Sequence, residues 1–290
     1  MPLRQQMQGR VLVLTLDDPD VRNALDGAAM AELRDLFESL AAREPLPPDG
    51  GAADCGPRGA HRPHAVVLRA TGDVFCAGAH LGEMRRLGQA GYDTNLSAAL
   101  DMGAMFRAVR NFPGPVLARV QGPAYGGGVG LVAACDLVVA APRARFAFTE
   151  VRLGLVPGVI APLVIERIGP AAARAAFLGG EPLDAAAALR LGLIDRLAVA
   201  DEALDDAVEG TVGALLAGGP AALGQVKSLV DGVTTLGLGR SAELCARMIA
   251  QARTGAEGQA ALAAFADRRP APWAVPEPWR LPPLPGREEP

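Results

Sequence analysis

The chain has 290 residues, 50% of them hydrophobic, with a formal net charge of −4 and a pI near 5.5. That is ample apolar sequence for one large core, with or without an appendage. No basic block or aromatic-interleaved basic stripe is present, which argues against nucleic acid as a partner, and no apolar run reaches the ~18 residues of a membrane-spanning helix.

Cys55, Cys76, Cys135 and Cys245 show no Cys-x-x-Cys spacing. They read as free thiols in a reducing compartment, so no metal site is expected. Met1–Arg10 has no apolar h-region, so the expectation is a cytoplasmic protein without a signal peptide.

Val11–Leu16 reads as a strand, followed by a turn fixed by Pro19. Asp26 is placed to cap a helix reaching about Ala42, with Met30, Leu33, Phe37 and Leu40 on one face. Glu44–His64 differs in kind. Nine of its 21 residues are Pro or Gly and it lacks periodicity, which predicts a mobile surface insertion with His61 and His64 in solvent. Ala65–Ala70 is a buried strand that leads through the turn Thr71–Leu81 into a helix over about Leu81–Leu87. A helix follows over Leu96–Asn111.

Val116–Val120 is the next short apolar strand. Gly122-Pro123 breaks it, Gly126-Gly127-Gly128 follow, and a small apolar helix over Val129–Cys135 leads to a strand over Asp136–Ala141. Short helices over Ile160–Ile168, Ala171–Leu178 and Ala185–Leu191 are separated by glycines. After Asp201 only helices remain, at about 201–217, 220–230, 239–254 and 256–268, before a Pro-rich extended tail. The alternation predicts a parallel α/β core over residues 1–200 and a helical region with its tail over 201–290. The apolar faces of Leu204, Val208, Val212 and Leu215, and of Leu244, Met248 and Ile249, predict cover from a neighbouring subunit.

Three readings fit the glycine run. The first is close helix packing. The second is a dinucleotide fingerprint, but Gly126 and Gly128 lack the third glycine at the required spacing. The third is an oxyanion site, in which free N–H groups at a helix N-terminus take a negative oxygen. The turn at Thr71–Leu81 offers a second donor from another crossover, and two such turns can converge on one carbonyl oxygen.

At these residues the chain resembles the crotonase superfamily, also called the enoyl-CoA hydratase/isomerase family. Leu16–Pro19 with Arg22-Asn23-Ala24-Leu25 is similar to the family's opening motif, and Phe75–Leu81 to its first oxyanion turn. Gly122–Gly130 is similar to the second such turn, Phe148–Pro157 to the catalytic-glutamate segment, and Ala263–Arg269 with Pro270 and Trp273 to the C-terminal helix over the coenzyme A site. The resemblance covers nearly the whole chain. It implies a spiral of ββα turns with a C-terminal helical oligomerisation region, assembled as a homotrimer or homohexamer. The ligand it implies is an acyl-CoA thioester, with no cofactor beyond the coenzyme A of the substrate.

The resemblance places the enolate-binding N–H groups on Ala79 and Gly127 and the acid/base on Glu150. It places substrate contacts at Ala77, His80, Leu81, Gly126, Gly130 and Pro157. Coenzyme A phosphates need cations. Arg22 is the first choice for them, then Lys227 and Arg268 or Arg269 near Phe265, reaching this or a neighbour's site. The chain departs from the pattern twice. Gly130 stands where many hydratases carry a second glutamate, and His80 stands where an acid is common. His80 either meets solvent at a helix start or lines the acyl pocket.

Burial beside Phe148 and Val151 is expected to raise the Glu150 pKa towards the working pH. With one carboxylate, hydration or dehydration of a 2-enoyl-CoA ranks first and enoyl-CoA isomerisation second. The segment after Glu150 looks most like bacterial hydratases of branched substrates such as 3-methylglutaconyl-CoA. A non-catalytic acyl-CoA-binding protein is the alternative from another class. A serine protease is disfavoured, because His61, His64 and His80 sit in no serine-protease context.

Overall fold

The computed structural model describes residues 2–45, 59, 61–274 and 277–285; most of the insertion (46–58 and 60), including Cys55, lies outside them. The strands are β1 (Leu3–Gln8), β2 (Val11–Leu16), β3 (Ala65–Ala70), β4 (Val116–Val120), β5 (Ala124–Tyr125), β6 (Leu137–Ala140), β7 (Arg145–Ala147), β8 (Leu183–Asp184) and β9 (Arg196–Leu197). The helices are α1 (Gly27–Ala41), α2 (Leu81–Gly88), α3 (Tyr92–Arg110), α4 (Gly127–Ala134), α5 (Ala161–Gly179), α6 (Ala185–Leu191), α7 (Leu204–Leu216), α8 (Pro220–Leu236), α9 (Ala242–Thr254) and α10 (Ala256–Ala266).

The main sheet has the order β1-β2-β3-β4-β6-β9, parallel from β2 onward, with β1 antiparallel at one edge. A smaller sheet, β5-β7-β8, stands beside it. Two isolated bridges, Cys76 with Ala124 and Leu25 with Ala79, bring the turn after β3 against β5 and the start of α1. Successive turns of the chain thus give one strand to the large sheet, a short extended piece beside it, and a helix. This is the predicted spiral.

Strand alternation divides the core. Leu12, Leu14, Val66, Leu68, Ala118 and Val138 enter the larger cluster with α1, α3 and α4. Val11, Val13, Val67, Leu117 and Val139 face the other way, onto Leu204, Val208 and Val212 of α7. Side chains on a strand alternate between faces, and both faces here are covered, so the strands read as continuous apolar runs. The α7 face predicted to need a neighbour is therefore buried within its own chain. The C-terminal helices past α7 differ: α9 has no buried residue.

Asp26 caps α1 as expected, accepting from the Ala29 N–H at 2.7 Å. The two predicted helices after Ile160 meet in α5, where Gly169 (φ 76°, ψ 161°) breaks the helical path before Pro170. β1 escaped the sequence reading because it is polar and half exposed, held by its ladder to β2. His64 is not in solvent: it is buried, and burial pushes its pKa down to about 4. The predicted tail is docked. Trp279 Nε1 donates to the Gln8 carbonyl at 2.9 Å, and buried Arg69 donates to the carbonyls of Pro282 and Pro283.

Candidate active site

Asn23 builds the first turn. It is fully buried with φ 53°, its amide donates to the Thr71 and Val74 carbonyls at 2.9 Å each, and its oxygen accepts from the Asp18 N–H. The left-handed backbone of Arg22 and Asn23 swings the following residues against the second loop. There Ala77 donates to Arg22, Leu25 to Gly78 and His80 to Leu25, all through the backbone. Ala79 sits inside this ladder, yet among the described residues its own N–H donates to no backbone carbonyl.

The second turn starts α4. Gly126 has φ 48° and ψ −115°, its N–H donates to Ala147 at 3.0 Å, and a Cβ there would lie 3.2 Å from the Glu150 carboxylate. Only glycine takes that backbone without strain. Gly127 is the first residue of α4, where helix geometry leaves the N–H unengaged. A Cβ built on Gly78 would stand 3.3 Å from the Gly127 nitrogen, which shows how closely the two turns abut. A Cβ on Gly128 would meet the Cys76 carbonyl, so close packing is also part of what the run does.

β7 pairs with β5 and carries the chain to Glu150, the first residue of a 3-10 turn over Glu150–Leu153. Glu150 is half-buried, and its Oε2 is buried with no hydrogen-bond partner. Burial raises its pKa above the usual 4.5, and a backbone hydrogen bond partly opposes this. A buried carboxylate oxygen without a partner is costly and suits a group that exchanges protons with a ligand.

Glu150 lines a cavity of about 380 Å³ together with Ala77, Ala79, Gly126, Gly127 and Pro157. A neighbouring cleft of about 590 Å³ shares Ala77, Ala79, Met84, Tyr125 and Thr149 with it and adds Arg22, His80 and Leu81. The structure thus brings together nine residues singled out in the sequence. His80 does two things there. Its Nδ1 accepts from the Gly82 N–H at 3.1 Å, capping α2, and its side chain lines the outer cleft and not the inner cavity. Among the described residues, no group of three or more His, Cys, Asp or Glu could hold a metal ion.

Three residues fall elsewhere. Gly130 lies behind the cavity wall, where a Cβ would stand 2.4 Å from Ile160 and 2.7 Å from Phe106. Phe265 is 82% exposed on α10 and lines neither space. Lys227 is committed: its ammonium donates to the carbonyls of Phe112 and Gly114 and to Asp136 Oδ2, at 2.7, 3.1 and 2.8 Å. Burial raises the Asp136 pKa, and Lys227 is the chief group opposing that rise. Lys227 therefore ties α8 to the start of β4. Lys227→Met is expected to cost about 3 kcal/mol, because it strands a largely buried carboxylate. Urea unfolding would measure this; a raised KM for acyl-CoA with unchanged stability would contradict it.

Met84, Leu87, Asn95, Met102, Tyr125 and Val159 also line the inner cavity, and the sequence reading did not single them out. The spacing of Met84 with Leu87, and of Asn95 with Met102, is a helical stripe that could have flagged a shared face. It could not show that the face borders a cavity.

The sequence profile described as Enoyl-CoA hydratase/isomerase matches residues 58–276. The enoyl-CoA hydratase AKT6-1 of Alternaria alternata is 30% identical over 224 residues, covering 77% of this chain and 67% of that one. Among solved structures, an enoyl-CoA hydratase from Shewanella pealeana superimposes with a TM-score of 0.83 at 31% identity, covering 93% of this chain and 94% of that one. An enoyl-CoA hydratase/isomerase from Marinobacter aquaeolei gives 0.83 at 32% identity, with 93% and 98% covered. The fold, the paired glycine turns and these likenesses agree, and the chain belongs to the enoyl-CoA hydratase/isomerase family of the crotonase superfamily.

Proposed function

We propose that the protein adds water to, or removes it from, the double bond of an enoyl-CoA thioester. The observation that carries this is the Glu150 carboxylate, whose buried Oε2 has no hydrogen-bond partner and which is the one acid among the described residues lining the inner cavity, beside the adjoining turns of Ala79 and Gly127. The Ala79 and Gly127 N–H groups form the oxyanion hole. They hold the thioester oxygen and stabilise the charge that develops on it. Glu150 takes a proton from water as the water oxygen bonds to Cβ, and the π electrons pass to the thioester oxygen as an enolate. Glu150 then returns the proton to Cα, so one water is added and the carboxylate is restored. The chemistry is redox-neutral and needs no cofactor beyond the coenzyme A of the substrate. Arg22 and His80 line the outer cleft, where the phosphates of coenzyme A would meet them.

One observation favours a second reading. The position of a second acid is closed by Ile160 and Phe106, so Glu150 alone can also move a proton from Cα to Cγ, which is enoyl-CoA isomerisation. A branched acyl group such as 3-methylglutaconyl gains no room at Gly130, and its space would have to come from beyond Met84 and Met102. Incubation with crotonyl-CoA and with 3-hexenoyl-CoA, followed by liquid chromatography that resolves the enoyl isomers and by mass spectrometry, separates the readings. Hydration gives the 3-hydroxyacyl product, and isomerisation gives a 2-enoyl product without mass change. No product from either substrate or from longer enoyl-CoAs would leave only acyl-CoA binding.

Assembly as a homotrimer or homohexamer fits the exposed Val226, Val230, Ile249, Leu262 and Phe265 on the last three helices. Phe265, with Arg268 or Arg269, would then reach a neighbour's site. A monomer in sedimentation equilibrium at micromolar concentration would end this. A cytoplasmic setting fits the buried free thiols of Cys76 and Cys135.

A further inference from the structure

A separate space of about 500 Å³ lies at the carboxyl ends of β3, β4 and β6, on the face of the main sheet that carries α7. It shares no lining residue with the cavity of Glu150 or the cleft beside it. Side chains two apart on a strand point the same way. Leu117 packs towards α7, so Arg119 and Gln121 continue that face, and both line the space. Arg119 is 8% exposed and Gln121 4%. Each keeps one buried polar atom without a partner among the described residues: Arg119 Nη1, a donor, and Gln121 Oε1, an acceptor. The Gln121 amide nitrogen is engaged with the carbonyls of Gly72 and Val74, at 3.0 and 3.3 Å, which fixes the oxygen as the unpaired atom. Buried polar atoms are rarely left unpaired, and here a donor and an acceptor are left together.

The charges around them are divided by depth. Arg69 lies close behind Arg119, and burial, then the Arg119 charge, lowers its pKa to about 10. Among the described residues Arg119 pairs with one carboxylate, Asp205, through Nε at 2.5 Å. The inner end therefore favours an anionic oxygen. The exposed mouth is the reverse. Asp73, Asp201 and Glu202 line it with a single cation, Arg143, which is already engaged with Asp73, Asp201 and the Gln121 carbonyl. Ala141, Leu204, Leu284 and Pro285 supply apolar wall.

We propose that this space is a binding site for an apolar α-amino acid, distinct from the acyl-CoA site, with the carboxylate on Arg119 Nη1 and the ammonium on Gln121 Oε1 towards the acidic mouth. A plain carboxylate would leave Gln121 unsatisfied and meet the acids. A plain amine would leave Arg119 unsatisfied. Both groups on one carbon answer both atoms, and positions two apart on a strand, about 7 Å, leave room for such a carbon with a hydrogen bond at each end.

The test is calorimetric titration of the full chain with L-norvaline, and with pentanoate and butylamine, which each lack one of its two charged groups. Norvaline is expected to bind saturably, and the other two at least roughly tenfold more weakly, since each forfeits a charge-assisted hydrogen bond. Arg119→Met keeps much of the side-chain length and is expected to weaken norvaline at least roughly tenfold, with the Kd for butyryl-CoA unchanged. Should that variant fail to fold, the wild-type series decides alone. No saturable heat from norvaline would mean that solvent serves the two atoms, and overturns the site. Pentanoate or butylamine binding as tightly as norvaline overturns the pairing of charges. Norvaline binding untouched by Arg119→Met, or competed away by butyryl-CoA, overturns the location. None of these outcomes bears on the reaction proposed for Glu150.

Discussion

Glu150→Gln is expected to lower kcat for every accepted enoyl-CoA by roughly 10²–10⁴-fold, the usual cost of losing a positioned acid/base. The glutamine keeps the shape of the side chain and leaves the Ala79 and Gly127 N–H groups in place, so the Kd for acyl-CoA should change little. The pH profile gives an independent readout. Burial raises the Glu150 pKa above 4.5, so the acid limb of the kcat/KM profile should lie above that value in wild type and vanish in the variant. Linkage fixes the sign of the stability effect. A carboxyl with a raised folded-state pKa binds its proton more tightly when folded, so the stability it contributes is lost as pH rises through that window. At neutral pH the variant should therefore melt no lower than wild type. Full turnover with glutamine at this position would show that another group moves the proton.

Gly130→Glu is expected to fail as a route to a two-acid site. Its first side-chain atom would overlap Ile160 Cγ2 and Phe106 Cζ in a fully buried part of α4. Overpacking alone costs about 1–3 kcal/mol, and burying a carboxylate adds to it. A total above about 3 kcal/mol lowers the melting temperature by roughly 6 °C or more in a chain of this size. Calorimetry would measure the shift. A variant that melts like wild type and hydrates crotonyl-CoA faster would mean that Ile160 and Phe106 can yield, and that the glycine marks a vacant place for an acid rather than a packed one.

Several elements were legible because local chemistry decides them. Val11–Leu16, Ala65–Ala70 and Val116–Val120 are strands at the predicted bounds, since uninterrupted β-branched and aliphatic runs fit a sheet covered on both faces. The breaks at Gly169 and Gly192 followed from glycine, which alone takes their backbone cheaply. Polar β1 and the two-residue strands β5, β8 and β9 were illegible, because pairing partners distant in sequence define them, and pairs that short leave no period to read.

The sequence by itself determined the order of strand, glycine turn and helix, which depends on which backbone each residue type can adopt, a local property. Ala79, Gly127 and Glu150 came forward through the resemblance of their segments to the family's motifs. Only the tertiary structure decided what surrounds them. It buried the α7 face against its own sheet, filled the space beside Gly130 with one side chain from α3 and one from the turn before α5, and spent the Lys227 charge on Asp136. It also set α1, α2 and α3 around a second space that adjoins the cavity of the glutamate. Each of these is set by packing between segments far apart in the chain, and a residue's type does not state which neighbour will fill the volume beside it.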